Sequence, residues 1–166
     1  MTDVQQRAAA KEFTTYWKNR GDAKQKTQRF WIDLLRNVYD ISNPEQSIEF
    51  EVPVKLSHTS FIDGYLADTR VLIEQKGTDL KKGYKQSDGQ MLTPYQQARR
   101  YAGYLPFNRT PRWIVVCNFQ TFRFLYKGII IKHNKTEPTY TKTSLFLCEK
   151  RRFFMARTEK GVVATI

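Results

Sequence analysis

Three residues in the segment FIDGYLADTRVLIEQK, residues 61–76, combine side-chain type and spacing in a way that can do chemistry: Asp63, Glu74 and Lys76. Side chains alternate along a β-strand, so Glu74 and Lys76 share a face with Leu72, while Val71, Ile73 and Gln75 take the other. With Asp68 and Thr69 at the centre of a tight hairpin, Ala67 faces Arg70 and Asp63 faces Glu74. Directly opposed residues on antiparallel strands hold their β-carbons about 5 Å apart. Carboxylates that close repel each other. Lys76 supplies one compensating charge, and a divalent cation would neutralise the pair better; oxygen donors suit Mg²⁺ or Mn²⁺. A cation held beside a lysine can bind a phosphate oxygen, acidify a water and stabilise charge developing on phosphorus. So short a pattern also fits a salt-bridged hairpin surface. Three features favour the site: Glu74-x-Lys76 ends an apolar strand, Asp63 opens the preceding strand, and a basic stretch follows at once.

The flanking elements must position these groups. Residues 24–39 carry Phe30, Trp31, Leu34, Leu35 and Val38 at helical spacing, and a shorter helix precedes them near 8–19. Strands are expected at 48–56, 60–67 and 70–76, with Pro53 marking an edge or a bulge in the first. The polar run GTDLKKGYKQSDGQML reads as a connection. It leads to Thr93-Pro94-Tyr95-Gln96, a capping pattern that starts a helix running to about Leu105, where Pro106 stops it. Tyr95, Ala98, Tyr101, Ala102 and Leu105 share its apolar face. Residues 112–117 form an apolar strand buried on both sides. A further strand follows at 121–126, and β-like runs occur at 128–132 and 145–148. The strand–helix–strand unit from 70–76 to 112–117 implies a parallel pair, whereas the earlier strands form an antiparallel meander. The fold class is α/β, a mixed sheet flanked by helices.

Charge points to the ligand. The 166 residues carry 28 Lys and Arg against 16 Asp and Glu, a formal net charge of +12. Residues 1–80 are nearly balanced. Residues 81–112 hold seven basic side chains, Lys81, Lys82, Lys85, Arg99, Arg100, Arg109 and Arg112, against Asp88 alone. A polyanion is the expected partner, nucleic acid first. Tyr84, Tyr95, Tyr101 and Tyr104 interleave with these cations, and packing of helix on sheet accounts for them better than stacking on bases. The hydrophobic fraction of 40% argues for one folded domain over residues 1–166. No apolar run approaches a membrane span, and residues 1–12 lack a signal-peptide core. Cys117 and Cys148 have no CxxC partner, and His58 and His133 lie far from both, which argues against a zinc site or disulfide scaffold and for a reducing cytoplasm.

At the Asp63, Glu74 and Lys76 positions the sequence resembles the PD-(D/E)XK nuclease superfamily, whose core is written αβββαβ. Phe61-Ile62 stands where the superfamily name places its Pro. The segments FWIDLLRNVY, SFIDGYLADTRVLIEQKG, YQQARRYAGYL and RWIVVCNFQTFRFLY, over about residues 24–126, extend the likeness. Together they resemble the amino-terminal nuclease domain of large single-chain restriction–modification enzymes of the MmeI type. In those enzymes the domain precedes an adenine-N6 DNA methyltransferase and a target-recognition region. The resemblance implies a Mg²⁺- or Mn²⁺-dependent endonuclease acting on double-stranded DNA. Asp63, Glu74 and the backbone carbonyl of Gln75 would be the metal ligands, Lys76 the catalytic lysine, and Gln97 and Tyr101 the matching Gln and Tyr of the following helix. Gln97, Lys81, Lys82, Arg99 and Arg100 are the substrate-binding candidates.

The sequence departs from the family before the first core helix, where relatives often carry acidic residues and this chain has Ala23 and Lys26. Asp33, beside Leu34, reads as a solvated position. There is no NPPY-like tetrapeptide and no glycine-rich methyl-donor loop, so methyl transfer is not expected of this chain, which reads as part of a longer enzyme with residues 127–166 as a β-rich extension. A DNA-binding module without catalysis, or a repair or junction nuclease, on the same fold would share these features.

Overall fold

The computed structural model describes residues 1–20, 23–77, 79–126, 156–158 and 161–165. Helix α1, Asp3–Trp17, starts and ends earlier than the helix expected near 8–19. The reason for the early start is a capping box: the Thr2 hydroxyl accepts the Gln5 N–H, and the Gln5 side chain accepts the Thr2 N–H at 2.8 Å. Helix α2, Ala23–Asp33, runs on into a π-helical turn at Leu34–Val38, which buries Leu34, Leu35 and Val38. A short helix α3, Pro44–Ser47, leads into the sheet.

Strands β1 (Glu49–Lys55), β2 (Thr59–Leu66) and β3 (Val71–Gln75) form the expected antiparallel meander. The β2–β3 register is the one read from the sequence: Leu66 pairs with Val71, Tyr65 with Leu72 and Gly64 with Ile73. The polar run after β3 is not a plain connection. It contains a small hairpin of its own, β4 (Tyr84–Lys85) and β5 (Met91–Leu92). Helix α4, Pro94–Ala102, begins with the capping box of Thr93 and Gln96 and ends at Gly103. It therefore stops before Leu105 and Pro106, because the Gly103 N–H already closes the last turn on the Arg100 carbonyl at 3.1 Å.

Strand β6, Trp113–Cys117, lies parallel to β3, and β7, Thr121–Tyr126, returns antiparallel to it. Strands β8 (Ala156–Thr158) and β9 (Gly161–Thr165) add to β7; they fall in the stretch read as a β-rich extension, outside the particular runs expected at 128–132 and 145–148. The sheet order is β1-β2-β3-β6-β7-β9-β8, so β3 is an interior strand. The runs at 128–132 and 145–148, His133 and Cys148 lie outside the described residues.

Two apolar layers enclose the sheet. On one face, Phe13, Trp17, Phe30 and Trp31 from α1 and α2 pack on Val71, Ile73, Val115, Cys117 and Phe122. On the other, Ala98, Tyr101 and Ala102 of α4 pack on Leu72, Ile114 and Val116. Every residue of β3 is buried, including Glu74 and Gln75, so the end of this strand brings polar groups into an environment that otherwise excludes water. Among the described residues, no helix is long and apolar enough to cross a membrane.

Candidate active site

The site forms where β2 and β3 part. Their ladder reaches Gly64 and Ile73, and the next inward-facing donor on β3, the Gln75 N–H, is taken by the side chain of Asp63, with Oδ2 at 2.7 Å. A residue's N–H and C=O leave a strand on the same edge, so the Gln75 carbonyl faces the same gap between β2 and β3. The neighbouring Lys76 N–H points to the opposite edge and meets the Cys117 carbonyl at 2.8 Å. Glu74 and Lys76 share a face with Leu72, as read from the sequence; that face is the one α4 covers, and Lys76 Nζ lies 2.6 Å from Glu74 Oε1.

Glu74 is only 1% exposed. Apart from the charge contact with Lys76, neither of its carboxylate oxygens meets a hydrogen-bond donor among the described residues. Burial pushes its pKa up to about 8, helped by the negative charge of Asp63 and opposed by Lys76. Asp63 is raised as well, first by burial and then by Glu51, against the Gln75 N–H and Lys76. For Lys76, burial works downwards, but the charge and hydrogen bond of Glu74, with Asp63 and Tyr101, outweigh it and the pKa is raised. The three groups thus feel one another strongly: a cation is secured beside two carboxyls that are reluctant to carry two full charges.

That reluctance is what a divalent ion would relieve. The donor set, two carboxylates and a carbonyl, is the hard-oxygen kind that Mg²⁺ or Mn²⁺ prefers. Among the described residues there is no group of three or more His, Cys, Asp or Glu side chains placed to hold a metal, so a metal here would draw on the two carboxylates and the Gln75 carbonyl.

The other substrate-binding candidates fall into two groups. Lys81, Lys82 and Arg99 are exposed. Arg100 and Gln97 instead hold the β4–β5 hairpin against α4: Arg100 pairs with Asp88 at 2.6 Å, and Gln97 Oε1 accepts from Gln86 Nε2 at 3.3 Å. Gln97 is buried, and its Nε2 donates to the Tyr101 hydroxyl at 3.1 Å. From the other side, the Ser87 hydroxyl lies 2.5 Å from His58 Nε2 in the β1–β2 turn. The hairpin is thereby pinned beside the site, with the Tyr84 ring 5.5 Å from Lys76 Nζ. Of the four tyrosines read as packing, Tyr101 and Tyr95 pack on the sheet layer, Tyr84 covers the lysine and Tyr104 is exposed. Asp33, read as solvated, is instead half-buried and pairs with Arg29 one helical turn away, 3.7 Å.

Sequence reasoning passed over Glu51. It stands across β1 from Asp63 in the register set by Phe50↔Gly64 and Val52↔Ile62, has a left-handed backbone (φ 52°) and adds negative charge at Asp63. An unfavourable φ for a glutamate leaves no trace in composition. Cys117 is buried and its thiol is pushed up to about 12, chiefly by burial, so it is no nucleophile.

The site thus lies in an α/β domain whose interior strand ends in a buried carboxylate and an ammonium, close to a second carboxylate. The family model described as MmeI, N-terminal domain, matches residues 8–161, and the chain belongs to that family. Neither the comparison with curated proteins nor that with solved structures gave a match.

Proposed function

We propose that the chain is a Mg²⁺- or Mn²⁺-dependent DNA endonuclease domain of the PD-(D/E)XK kind, working within a restriction–modification enzyme alongside methyltransferase and target-recognition domains. The observation that carries this reading is Glu74: a carboxylate 1% exposed, met by the ammonium of Lys76 and by no other donor among the described residues, and within reach of the charge of Asp63. Burying such a group costs several kcal/mol unless it is neutralised. Membership of the MmeI amino-terminal family adds the DNA context.

In this reading Asp63, Glu74 and the Gln75 carbonyl hold the cation. When bound, it supplies Lewis acidity to a phosphate oxygen and a more acidic water. Lys76, kept protonated by Glu74, offers its ammonium to the charge that builds on the phosphate as the bond to the leaving oxygen breaks. The Tyr84 ring beside Lys76 limits where that ammonium can swing. Lys81, Lys82 and Arg99 meet the backbone of double-stranded DNA on the approach to the site.

The test is nicking of supercoiled plasmid with Mg²⁺ or Mn²⁺ by the wild type and by Lys76→Ala. Metal-dependent nicking is expected from the wild type and a loss of at least a hundredfold from the variant. Equal nicking by both proteins would overturn the assignment. Salt-sensitive DNA binding that ignores both divalent metal and Asp63→Ala would instead mark a binding module on the same fold.

A further inference from the structure

We infer that Trp31, on the far side of the sheet from Glu74 and Lys76, is a positioning residue for the metal site, acting through the side chain of Gln75. This rests on the metal reading above. The Trp31 indole sits edge-on to two rings of the aromatic layer, 5.8 Å from Phe30 and 5.6 Å from Phe122, both at 84°. That packing fixes the direction of its N–H, which donates to Gln75 Oε1 at 2.9 Å. Trp31 is 5% exposed and Gln75 3%. The Gln75 amide nitrogen lies 3.4 Å from the Lys76 carbonyl, and Cys117 sulfur is a further partner of this side chain. Meanwhile the backbone N–H of Gln75 holds Asp63. The single residue between Glu74 and Lys76 is therefore gripped from α2, from β6 and from Asp63.

Packing alone does not call for this arrangement. On the same face of β3 the two preceding residues are Val71 and Ile73, and an apolar side chain at 75 would continue that layer without an amide to desolvate. What the polar pair adds is direction. The Gln75 backbone presents its N–H to Asp63 and its carbonyl to the gap where a cation would sit, so any rotation of this residue moves its own carbonyl and, through its N–H, Asp63: two of the three donors at once. The indole bond resists the rotation from a helix that touches neither donor. Outer partners of this kind typically account for 10–100-fold in metal affinity.

The experiment is calorimetric titration with Mn²⁺, alongside thermal unfolding, of wild type, Asp63→Ala, Trp31→Phe, Gln75→Leu and the double variant Trp31→Phe/Gln75→Leu. Each single change strands one buried partner and lowers stability, whereas removing both partners restores an apolar contact. The double variant is therefore expected to regain stability while still binding Mn²⁺ about 10–100-fold more weakly than wild type. If its Mn²⁺ affinity returns to the wild-type value together with its stability, the pair is structural and the inference falls. Wild-type affinity in Trp31→Phe overturns it equally. A wild type that binds no Mn²⁺, or binds it undiminished in Asp63→Ala, overturns the metal reading itself and the inference with it.

Discussion

A carboxyl group that is 1% exposed and faces a second carboxyl is a liability to the fold, and Glu74 makes that liability measurable. Its pKa of about 8 in the folded chain stands above the ordinary 4.5. Proton uptake therefore favours the folded state. The stabilisation is complete below about 4.5 and is lost as pH rises through about 8. In EDTA, thermal unfolding should show stability falling between pH 6 and 8.5 by an amount on the order of a few kcal/mol. Glu74→Gln should flatten that fall, unfold at a higher temperature than wild type at pH 8.5, and bind no Mn²⁺. A variant that keeps the wild-type slope would show that another group is responsible. Lys76, with its raised pKa, stays charged across this range.

At the scale of elements, the β4–β5 hairpin is held to α4 by Asp88–Arg100 and by Gln86–Gln97, and to the β1–β2 turn by Ser87 and His58. Arg100→Ala should loosen it. Hydrogen exchange at the amides of Gln86 and Gly89, which close the hairpin on Gln90 and Gln86, should accelerate severalfold while the α4 amides keep their protection. Unchanged exchange would mean that the other tethers suffice. This hairpin was also the least legible element. Its strands are two residues each, too short for alternation to register, and its lysines, glycines and serine look like any solvated loop. The meander was legible for the opposite reason. Asp68 and Thr69 mark the turn, strict alternation along β3 fixes which side chains share a face, and the register continued one pair past Gly64 and Ile73 points Asp63 towards Glu74, whose pKa its charge helps to raise. The grip of Trp31 on Gln75 could not be read, because 44 residues of chain separate them and only the packing of α2 on the sheet unites them.

For the whole molecule the net charge of +12 favours a polyanionic partner, which under the proposed function is DNA. Replacing Lys81, Lys82 and Lys85 together by Gln should weaken binding uniformly across sequences. The plot of log affinity against log salt should become shallower by roughly 0.9 for each lysine that contacts a phosphate. An unchanged slope would place the DNA on another face. The protein's outline matters too. Among the described residues β1 has a neighbour on one side only, and it carries Pro53, a left-handed Glu51 and outward Glu49 and Lys55. Such a border offers a visiting chain an irregular row of amides, one of them missing, guarded by charges of both signs. Along this edge a visiting strand cannot continue the sheet as a regular ladder, so contacts made there fall to side chains.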